Sequence, residues 1–265
     1  MKKNKLNIAL LQSDIFWEDV EKNLKHFSTM LNEIHDPVDL IVLPEMFNTG
    51  FTSDTSSCAE DMNGDTIHFL RESAQKMGCA VIGSLMIKQE SDFVNRLVCM
   101  YPDGTFQFYD KRHLFRLSEE YKALQGGNKK IIISQQDWNL LPLICYDLRF
   151  PVWSKNTYQN GKYEYDLLVY PSNWPRSRSH VWKSLLIARA IENQAYVIGV
   201  NRIGRDGYGT DHAGNSMIID FKGNIIAEAG DNEVILQASL PMEDLIQFRE
   251  SFQIGLDWDK FTIEI

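Results

Sequence analysis

Apolar residues along the first third of the chain alternate between short continuous runs and helical spacing. Residues 6–12 form an apolar run that predicts a strand, and from Trp17 to Ile34 apolar residues recur at steps of three and four, which predicts one face of a helix. Residues 38–44 form a second run, typical of a buried strand, which leads directly into Glu45. A second helix is predicted over residues 66–77.

The rest of the chain is richer in predicted strands than in helices. The sequence PDG at residues 102–104 predicts a turn, and FKGN at residues 221–224 predicts a hairpin turn. Further strands are predicted over residues 80–87, 96–101, 105–109, 130–133, 140–145, 166–170, 196–201, 216–220, 225–229 and 234–239. Further helices are predicted to start near Phe150, to cover residues 180–194 and to run from Pro241 to about Phe248.

Both halves of the chain repeat a rough order of strand, helix, strand and hairpin. This order predicts an α/β fold in which two sheets face each other and helices cover the outside. The 265 residues contain no linker, no low-complexity segment and no repeat of fixed period. We therefore expect a single domain over residues 1–265.

The charge balance argues against a nucleic-acid partner. The chain carries 36 acidic and 27 basic side chains, and this formal net charge of -9 opposes binding to phosphates. Hydrophobic residues make up 44% of the chain, which is enough for a large core. No stretch is long enough to cross a bilayer, so no membrane contact is expected.

The cysteines and the first residues predict a cytoplasmic location. The four cysteines are Cys58, Cys79, Cys99 and Cys145. They lie far apart, with neither zinc-ligand spacing nor the density of a disulfide framework. Lysines at positions 2, 3 and 5 precede an apolar run, but that run already contains Asn7, so no secretory signal is expected.

Cys145 is the candidate nucleophile. It lies in PLICYDLRFP, where a predicted apolar strand meets a polar turn, and open α/β sheets bind ligands at such strand ends. A sharp turn after a strand also places a backbone N–H beside the side chain, where it can stabilise an oxyanion. The alternative is a buried core cysteine, since free cysteine is among the most buried residue types.

A cysteine nucleophile needs a group that takes its proton. Glu45 follows an apolar strand, and a carboxylate that loses its hydration there can act as this base, although a solvated acid is the alternative. Histidine is the usual base, and His113, His180 and His212 come from loops or element ends, so they remain alternatives. The other histidines, His26, His35 and His68, fall within predicted helices. No pair of histidines has the spacing of a metal site.

Lys111 is the candidate cation. It lies in FYDKRHLF, and although a run of charges usually faces solvent, the aromatic residues on both sides indicate that part of this one points inward. A semi-buried ammonium would stabilise a developing oxyanion or a neighbouring thiolate. The glycine-rich segment at residues 204–214 lacks a phosphate-loop pattern, and we expect it to form a loop near the mouth of the active site.

Three segments, in order, resemble the signatures of the nitrilase-like carbon–nitrogen hydrolase superfamily. They are LPE with Glu45, YDKRHLF with Lys111 and CYDLRFP with Cys145. The resemblance runs nearly end to end, and PSNWP at residues 171–175 and ARAIENQAYVIGVNRIG at residues 188–204 look most like the omega-amidase branch. It implies a four-layer α-β-β-α sandwich of two mixed β-sheets flanked by helix pairs, which commonly forms a homodimer.

The resemblance also implies the reaction and its residues. Omega-amidases of this superfamily hydrolyse the terminal carboxamide of small acids, such as 2-oxoglutaramate, to carboxylate and ammonia through a cysteine thioester. We expect Glu45, Lys111 and Cys145 to be catalytic. Glu120 matches the family's second glutamate, which supports the lysine, and the backbone N–H of Tyr146 is expected to bind the oxyanion.

The far end of such a substrate carries a carboxylate that needs a cation. Arg149, four residues beyond the nucleophile, is the best placed, and its guanidinium can bind a carboxylate through two hydrogen bonds. An ion pair with Asp147 or another acid is the alternative. Trp174, Phe51 and Asn173 are expected to line the pocket. Phe51 stands where related omega-amidases tend to have tyrosine, so a hydroxyl contact to the substrate is absent.

Three other kinds of function remain open from the sequence. A different amidase, a nitrilase or an N-carbamoyl hydrolase of the same superfamily would use the same three catalytic groups. A cysteine hydrolase with a histidine base would not use Glu45 in this way. A non-catalytic small-molecule binding protein would share only the scaffold. None of these functions calls for a cofactor or a metal.

Overall fold

The computed structural model describes residues 5–264, and its strands form two six-stranded mixed sheets and two short strand pairs. The strands are β1 (Lys5–Gln12), β2 (Leu40–Val42), β3 (Ala80–Gln89), β4 (Asp92–Met100), β5 (Phe106–Asp110), β6 (Ile133–Gln135), β7 (Trp138–Pro142), β8 (Tyr158–Gln159), β9 (Lys162–Tyr163), β10 (Leu167–Ser172), β11 (Tyr196–Asn201), β12 (Ile203–Arg205), β13 (Asp211–Ala213), β14 (Met217–Ile219), β15 (Ile225–Glu228) and β16 (Val234–Pro241). The helices are α1 (Val20–Asn32), α2 (Thr55–Cys58), α3 (Asp65–Met77), α4 (Glu120–Ala123), α5 (Pro151–Ser154), α6 (Ser179–Asn193) and α7 (Met242–Ser251).

The two sheets share one plan. The first has the strand order β16-β1-β2-β3-β4-β5 and the second has the order β15-β14-β11-β10-β7-β6. Three neighbouring strands run parallel in each sheet: β1, β2 and β3 in the first, and β7, β10 and β11 in the second. Each of the other strands pairs with its neighbour in antiparallel orientation. Because parallel strands end at the same edge, each sheet presents a row of loops there.

The layers follow from the alternation of side chains along each strand. In β1, Leu6, Ile8 and Leu10 pack in the cluster that contains the side chains of β7 and β10, whereas Ala9 and Leu11 pack against α1 and α3. The second sheet is covered on its outer side by α6 and α7, whose buried residues belong to the first cluster. The predicted four-layer α-β-β-α sandwich is confirmed.

Most of the predicted elements are present, and the differences lie at their ends. The predicted strand over residues 130–133 is instead β6, which begins at Ile133, and the side chain of Lys130 bonds the Lys155 carbonyl (3.0 Å) and the Glu164 carboxylate (2.7 Å). The strand predicted to end at Cys145 ends at Pro142. The helix predicted near Phe150 is only the four-residue α5.

The ends of the chain are only partly covered. The basic residues at positions 2 and 3, weighed above as part of a secretory signal, lie outside the described residues. Within residues 5–264, no helix combines the length and the hydrophobicity that a membrane crossing requires.

Candidate active site

The candidate site forms where loops from both sheets meet. Glu45 lies three residues beyond the end of β2, and Lys111 directly follows β5, which ends at the same edge of the first sheet. From the second sheet, Cys145 lies three residues beyond β7, and Asn173 directly follows β10. The two sheets thus bring together groups that are up to 128 residues apart in sequence.

Lys111 is held between two carboxylates. Its Nζ donates to Glu45 Oε1 at 2.8 Å and to both carboxylate oxygens of Glu120, at 2.7 and 3.0 Å. All three side chains are buried, with exposed fractions of 0 to 3%. The ammonium group thus has three carboxylate oxygens within hydrogen-bonding distance before any substrate binds.

The charges of this group keep Lys111 protonated. Burial alone would lower the pKa of Lys111, but the carboxylates of Glu120 and Glu45 outweigh it, and the pKa lies above its ordinary value of 10.5. Glu120 is itself fixed by the backbone N–H of Phe115, which donates to its Oε2 at 2.6 Å. The neighbouring acid, Glu119, points outward and pairs with Lys122 at 2.9 Å.

Cys145 begins a tight 3₁₀ turn that covers Cys145–Arg149. Its φ of +42° is in the left-handed region, which costs a non-glycine residue about 1–2 kcal/mol and turns the side chain sharply away from the strand. The thiol lies beside the Glu45 carboxylate and the backbone N–H of Asn173, and both groups shift its pKa. The first N–H groups of such a turn have no partner within it, and that of Tyr146 is one of them.

The thiol of Cys145 is protonated in the resting site. Burial raises its pKa well above the ordinary value of 9.0, and the charge of Glu45 raises it further, whereas Lys111 lowers it. A cysteine in this state is a weak nucleophile until a neighbouring base removes its proton. Glu45 is in contact with the thiol and can take that proton.

A cavity of about 470 Å³ opens onto these groups. This volume is in the range of small-molecule sites. Cys145, Lys111 and Glu120 lie in its wall, and the expected lining residues are all present: Phe51, Tyr146, Arg149, Asn173 and Trp174. The glycine-rich segment 204–214 contributes Asp206, Tyr208, Thr210 and His212, so it lies at the cavity as expected, although it forms the hairpin of β12 and β13 rather than only a loop.

Two asparagines hold Glu45 in place. The backbone N–H of Asn173 donates to Glu45 Oε2 at 2.9 Å, and its side-chain Nδ2 donates to the Glu45 carbonyl at 2.6 Å. Asn173, expected only to line the pocket, therefore also positions the candidate base. Asn95 donates to Glu45 Oε1 at 2.9 Å and is fully buried in β4.

Asn95 is the residue that the sequence reasoning missed. The predicted strand began one residue later, at Arg96, although β4 begins at Asp92. A signal was present, because an asparagine followed by the apolar residues of a central strand needs a buried hydrogen-bond partner.

The histidine alternatives are placed differently. His113 stacks on Phe150 and bonds Asp147 at 2.8 Å, and neither it nor the exposed His180 lines the cavity. His212 does line it, but burial lowers its pKa to about 4, so its ring is uncharged at neutral pH and is a weak base.

The alternative for Arg149, an ion pair with Asp147, is not formed. Asp147 instead accepts hydrogen bonds from the Tyr109 hydroxyl (2.8 Å), from the backbone N–H of Ile144 (3.0 Å) and from His113. Arg149 lies over the ring of Trp174, with its Cζ 4.9 Å from the ring centroid.

Comparisons with known proteins agree with this geometry. The family model described as Carbon-nitrogen hydrolase matches residues 7–250. The chain is 44% identical to Omega-amidase YafV of Escherichia coli (strain K12), over 97% of this chain and 98% of that protein. It is 32% identical to 2-oxoglutaramate amidase of Bacillus subtilis (strain 168), over 94% of this chain and 96% of that protein. The crystal structure of XC1258 from Xanthomonas campestris, a CN-hydrolase superfamily protein, superimposes with a TM-score of 0.96 at 37% identity, over 98% of this chain and 99% of that one. The chain belongs to the carbon–nitrogen hydrolase family.

Proposed function

We propose that this enzyme is an omega-amidase, which hydrolyses the terminal carboxamide of small acids such as 2-oxoglutaramate to a carboxylate and ammonia. The observation that carries the proposal is a buried thiol beside a carboxylate that also binds a buried ammonium, with the thiol and the ammonium in the wall of one cavity. The similarity to proteins named omega-amidase and 2-oxoglutaramate amidase supports this choice of substrate.

In the first step Glu45 accepts the thiol proton of Cys145 while the sulfur attacks the amide carbon. Protonation neutralises Glu45 and weakens the hydrogen bond that it accepts from Lys111. One N–H of the Lys111 ammonium, which keeps all its protons, becomes available for a new hydrogen bond. That N–H and the backbone N–H of Tyr146 then bind the oxyanion of the tetrahedral intermediate. The loss of one such donor typically raises the barrier by about 3 kcal/mol. Glu120 keeps Lys111 in position throughout.

In the second step Glu45 returns its proton to the amide nitrogen. The carbon–nitrogen bond breaks, ammonia leaves, and a thioester to Cys145 remains. Glu45 then removes a proton from a water molecule that attacks the thioester carbon. The carbon–sulfur bond breaks, the acid product leaves, and the proton held by Glu45 returns to the sulfur.

We assign Arg149 to the carboxylate at the far end of the substrate. Its guanidinium lies at the cavity with its face on Trp174, an arrangement that leaves the N–H fork available for two parallel hydrogen bonds. Phe51, whose ring lies 5.0 Å from Lys111 Nζ, and Trp174 provide apolar walls for the chain of the substrate. Asn173 lies beside the base and completes this set.

Substitution of Cys145 tests the proposal. We expect Cys145→Ala to abolish ammonia release from 2-oxoglutaramate, because no other group can form the thioester. A panel that adds 2-oxosuccinamate, a nitrile and a ureido acid, with ammonia and acid products quantified, identifies the preferred substrate. Unaltered turnover by Cys145→Ala would exclude the mechanism, and preference for the nitrile or the ureido acid would replace omega-amidase by another activity of the family.

We also propose that residues 1–265 act as one domain, in a homodimer in the cytoplasm. Side chains of both sheets share one hydrophobic cluster, which supports a single domain. All four cysteines are free, as is usual in a reducing compartment. Large apolar side chains on α5, α6 and the C-terminal segment are exposed, among them Val152, Ile191 and Leu256, and burial against a second copy would remove them from water.

A further inference from the structure

We infer that a second arginine, Arg178, completes an anion-binding subsite with Arg149 and selects substrates whose far end is a 2-oxo acid. This inference rests on the proposed function, because it concerns the end of the substrate that does not react. Arg178 lines the same cavity as Cys145 and Arg149, and it ends the short 3₁₀ turn Arg176–Arg178.

The acids at the cavity are already engaged. Glu120 holds Lys111, and Glu119 pairs with Lys122 on the exposed side. Asp206 accepts hydrogen bonds from two backbone N–H groups of its own loop, at 3.0 and 2.8 Å. None of these three carboxylates forms a salt bridge with an arginine of the cavity.

The two arginines, by contrast, have no salt bridge to any residue within 5–264. Each is only partly exposed, and each lies against an aromatic ring: Arg149 on Trp174, and Arg178 with its Cζ 5.3 Å from the ring centroid of Phe115. Partly buried guanidinium groups that lack a protein anion favour a bound one. The cavity therefore offers two positive charges to a ligand.

Trp174 fixes both arginines on one wall. Its ring lies under Arg149, and its Nε1 donates to the backbone carbonyl of Arg178 at 2.9 Å. Trp174 is only 3% exposed, and its backbone N–H donates to Asn201 Oδ1 at 2.7 Å. Trp174 thus contacts the Arg149 side chain and the Arg178 main chain, and both arginines line the one cavity in which we infer that they bind the same ligand group.

The chemistry of a 2-oxo acid matches two guanidinium groups better than one. A carboxylate with an adjacent carbonyl presents three oxygen acceptors, and one planar fork binds two of them. A second fork can bind the third oxygen and share the charge. At the same end, a simple dicarboxylic monoamide presents two acceptors, and a neutral alkyl amide presents none. Arg178 is therefore expected to discriminate among these three classes.

The experiment compares Arg149→Gln, Arg178→Gln and the control Arg176→Gln. Arg176 belongs to the same turn, but it is exposed, pairs with Asp231 at 3.6 Å and does not line this cavity. Steady-state kinetics would use 2-oxoglutaramate, glutaric acid monoamide and pentanamide. We expect Arg178→Gln to lower kcat/KM for 2-oxoglutaramate by roughly tenfold to a hundredfold, mostly through KM, and for pentanamide by less than about threefold. Arg176→Gln should change neither.

Binding gives a readout that needs no turnover. In a Cys145→Ala background, calorimetry with the product 2-oxoglutarate should show weaker binding with Arg178→Gln, full affinity with Arg176→Gln and partial recovery with Arg178→Lys. Equal losses on 2-oxoglutaramate and pentanamide, or no loss at all, would overturn the role of Arg178. If the unsubstituted enzyme turns over none of the omega-amides, the proposed function itself fails, which is a different result from turnover that does not depend on Arg178.

Discussion

The protonation state of Cys145 sets the order of events in the proposed reaction. Many cysteine hydrolases keep a thiolate ready through an adjacent cation. Here burial and the Glu45 carboxylate raise the pKa of the thiol, and Lys111 only partly offsets them. Glu45 must therefore remove the thiol proton before or during attack by the sulfur, because the resting thiol is a weak nucleophile.

Replacement of Glu45 by Gln should change the pKa of the Cys145 thiol and the catalytic rate in ways that can be measured separately. Without the negative charge of Glu45, the pKa of Cys145 should fall, because Lys111 still favours the thiolate. Activity should nevertheless fall by about 10² or more, since the base and acid are lost. The pKa of the thiol can be measured from the ultraviolet absorbance of the thiolate as the pH is varied, after subtraction of the absorbance of a matched protein that carries Cys145→Ser.

A matched control for this titration is Glu72→Gln, which changes an exposed acid on α3. It should alter neither the titration nor the rate. A higher thiol pKa in Glu45→Gln, or activity close to that of the unsubstituted enzyme, would contradict the assignment of Glu45 as the base.

Individual residues of the site differ in how far the sequence predicts them. Cys145, Lys111 and Glu45 each stand at a recognisable change from apolar to polar sequence. The structure places Cys145 and Lys111 in one cavity wall and the fully buried Glu45 directly behind them, where it accepts from Lys111. Asn95 carries a weaker signal, a polar residue within an interior strand, and Arg178 carries none. Asn95 meets Glu45 only through the pairing of β4 in the sheet, and Arg178 reaches the cavity only because Trp174 anchors its turn.

At the scale of elements, the turn after β7 is the part that the site depends on most. The carboxylate of Asp147 accepts from Ile144, just before the strained Cys145, and from groups on the loop that follows β5. Asp147 thereby connects the turn that contains Cys145 with the loop that contains Lys111. The left-handed backbone at Cys145 persists because these bonds outweigh its cost.

Asp147→Asn tests this tie. The carboxylate accepts four hydrogen bonds, from the Tyr109 hydroxyl, the Ile144 N–H and two groups of His113. An amide would direct its NH₂ group at two of these donors, so the free energy of unfolding should fall by about 3 kcal/mol. Urea denaturation measures the change.

The control for Asp147→Asn is Asp244→Asn, an exposed acid in the first turn of α7 that should stay within about 0.5 kcal/mol of the unsubstituted protein. We also expect kcat to fall in Asp147→Asn while the KM for 2-oxoglutaramate changes little, because the turn rather than the substrate subsite is disturbed. A stability loss no larger than that of the control would show that Asp147 does not hold the turn.

Long elements were predicted well and short ones poorly. The periodic segments that became β1, α3, β10, α6 and β11 lie within one or two residues of their predicted bounds. The short elements α2, α4, β8, β9, β12 and β13 were not predicted. The short strands that were predicted, such as β2 and β14, lie in apolar runs, whereas these six elements bury too few apolar side chains to leave a pattern, and their conformation is set by contacts with the rest of the fold.

At the scale of the whole molecule, the site exists only because the two sheets are locked together beside it. Gln12, at the end of β1, accepts hydrogen bonds from the N–H and hydroxyl of Ser216 at 2.9 and 2.8 Å and donates to the Gly230 carbonyl at 2.7 Å. Gly214 passes so close that a Cβ there would lie 2.3 Å from the Gln12 side chain, and its φ of +63° also favours glycine. Hydrophobic periodicity predicts that two sheets stack, but it carries no information on this joint.

An ion pair with one buried partner completes the joint and gives the last prediction. The Arg202 guanidinium, after β11, is fully buried and donates to Asp14, after β1, at 2.5 Å, whereas the Asp14 side chain is half exposed. Burial lowers the pKa of Arg202 and Asp14 opposes this shift, so loss of Asp14 leaves a buried charge without its partner. Asp14→Ala should therefore lower the free energy of unfolding by about 2 kcal/mol, less than for a fully buried pair because Asp14 is half exposed. Arg202→Met should cost less, because it removes the buried charge and leaves an acid that water can reach. The double variant should be more stable than Asp14→Ala alone in urea denaturation.

If Asp14→Ala is as stable as the unsubstituted protein, or if the double variant is the least stable of the three, the pair does not hold the sheets in the way described.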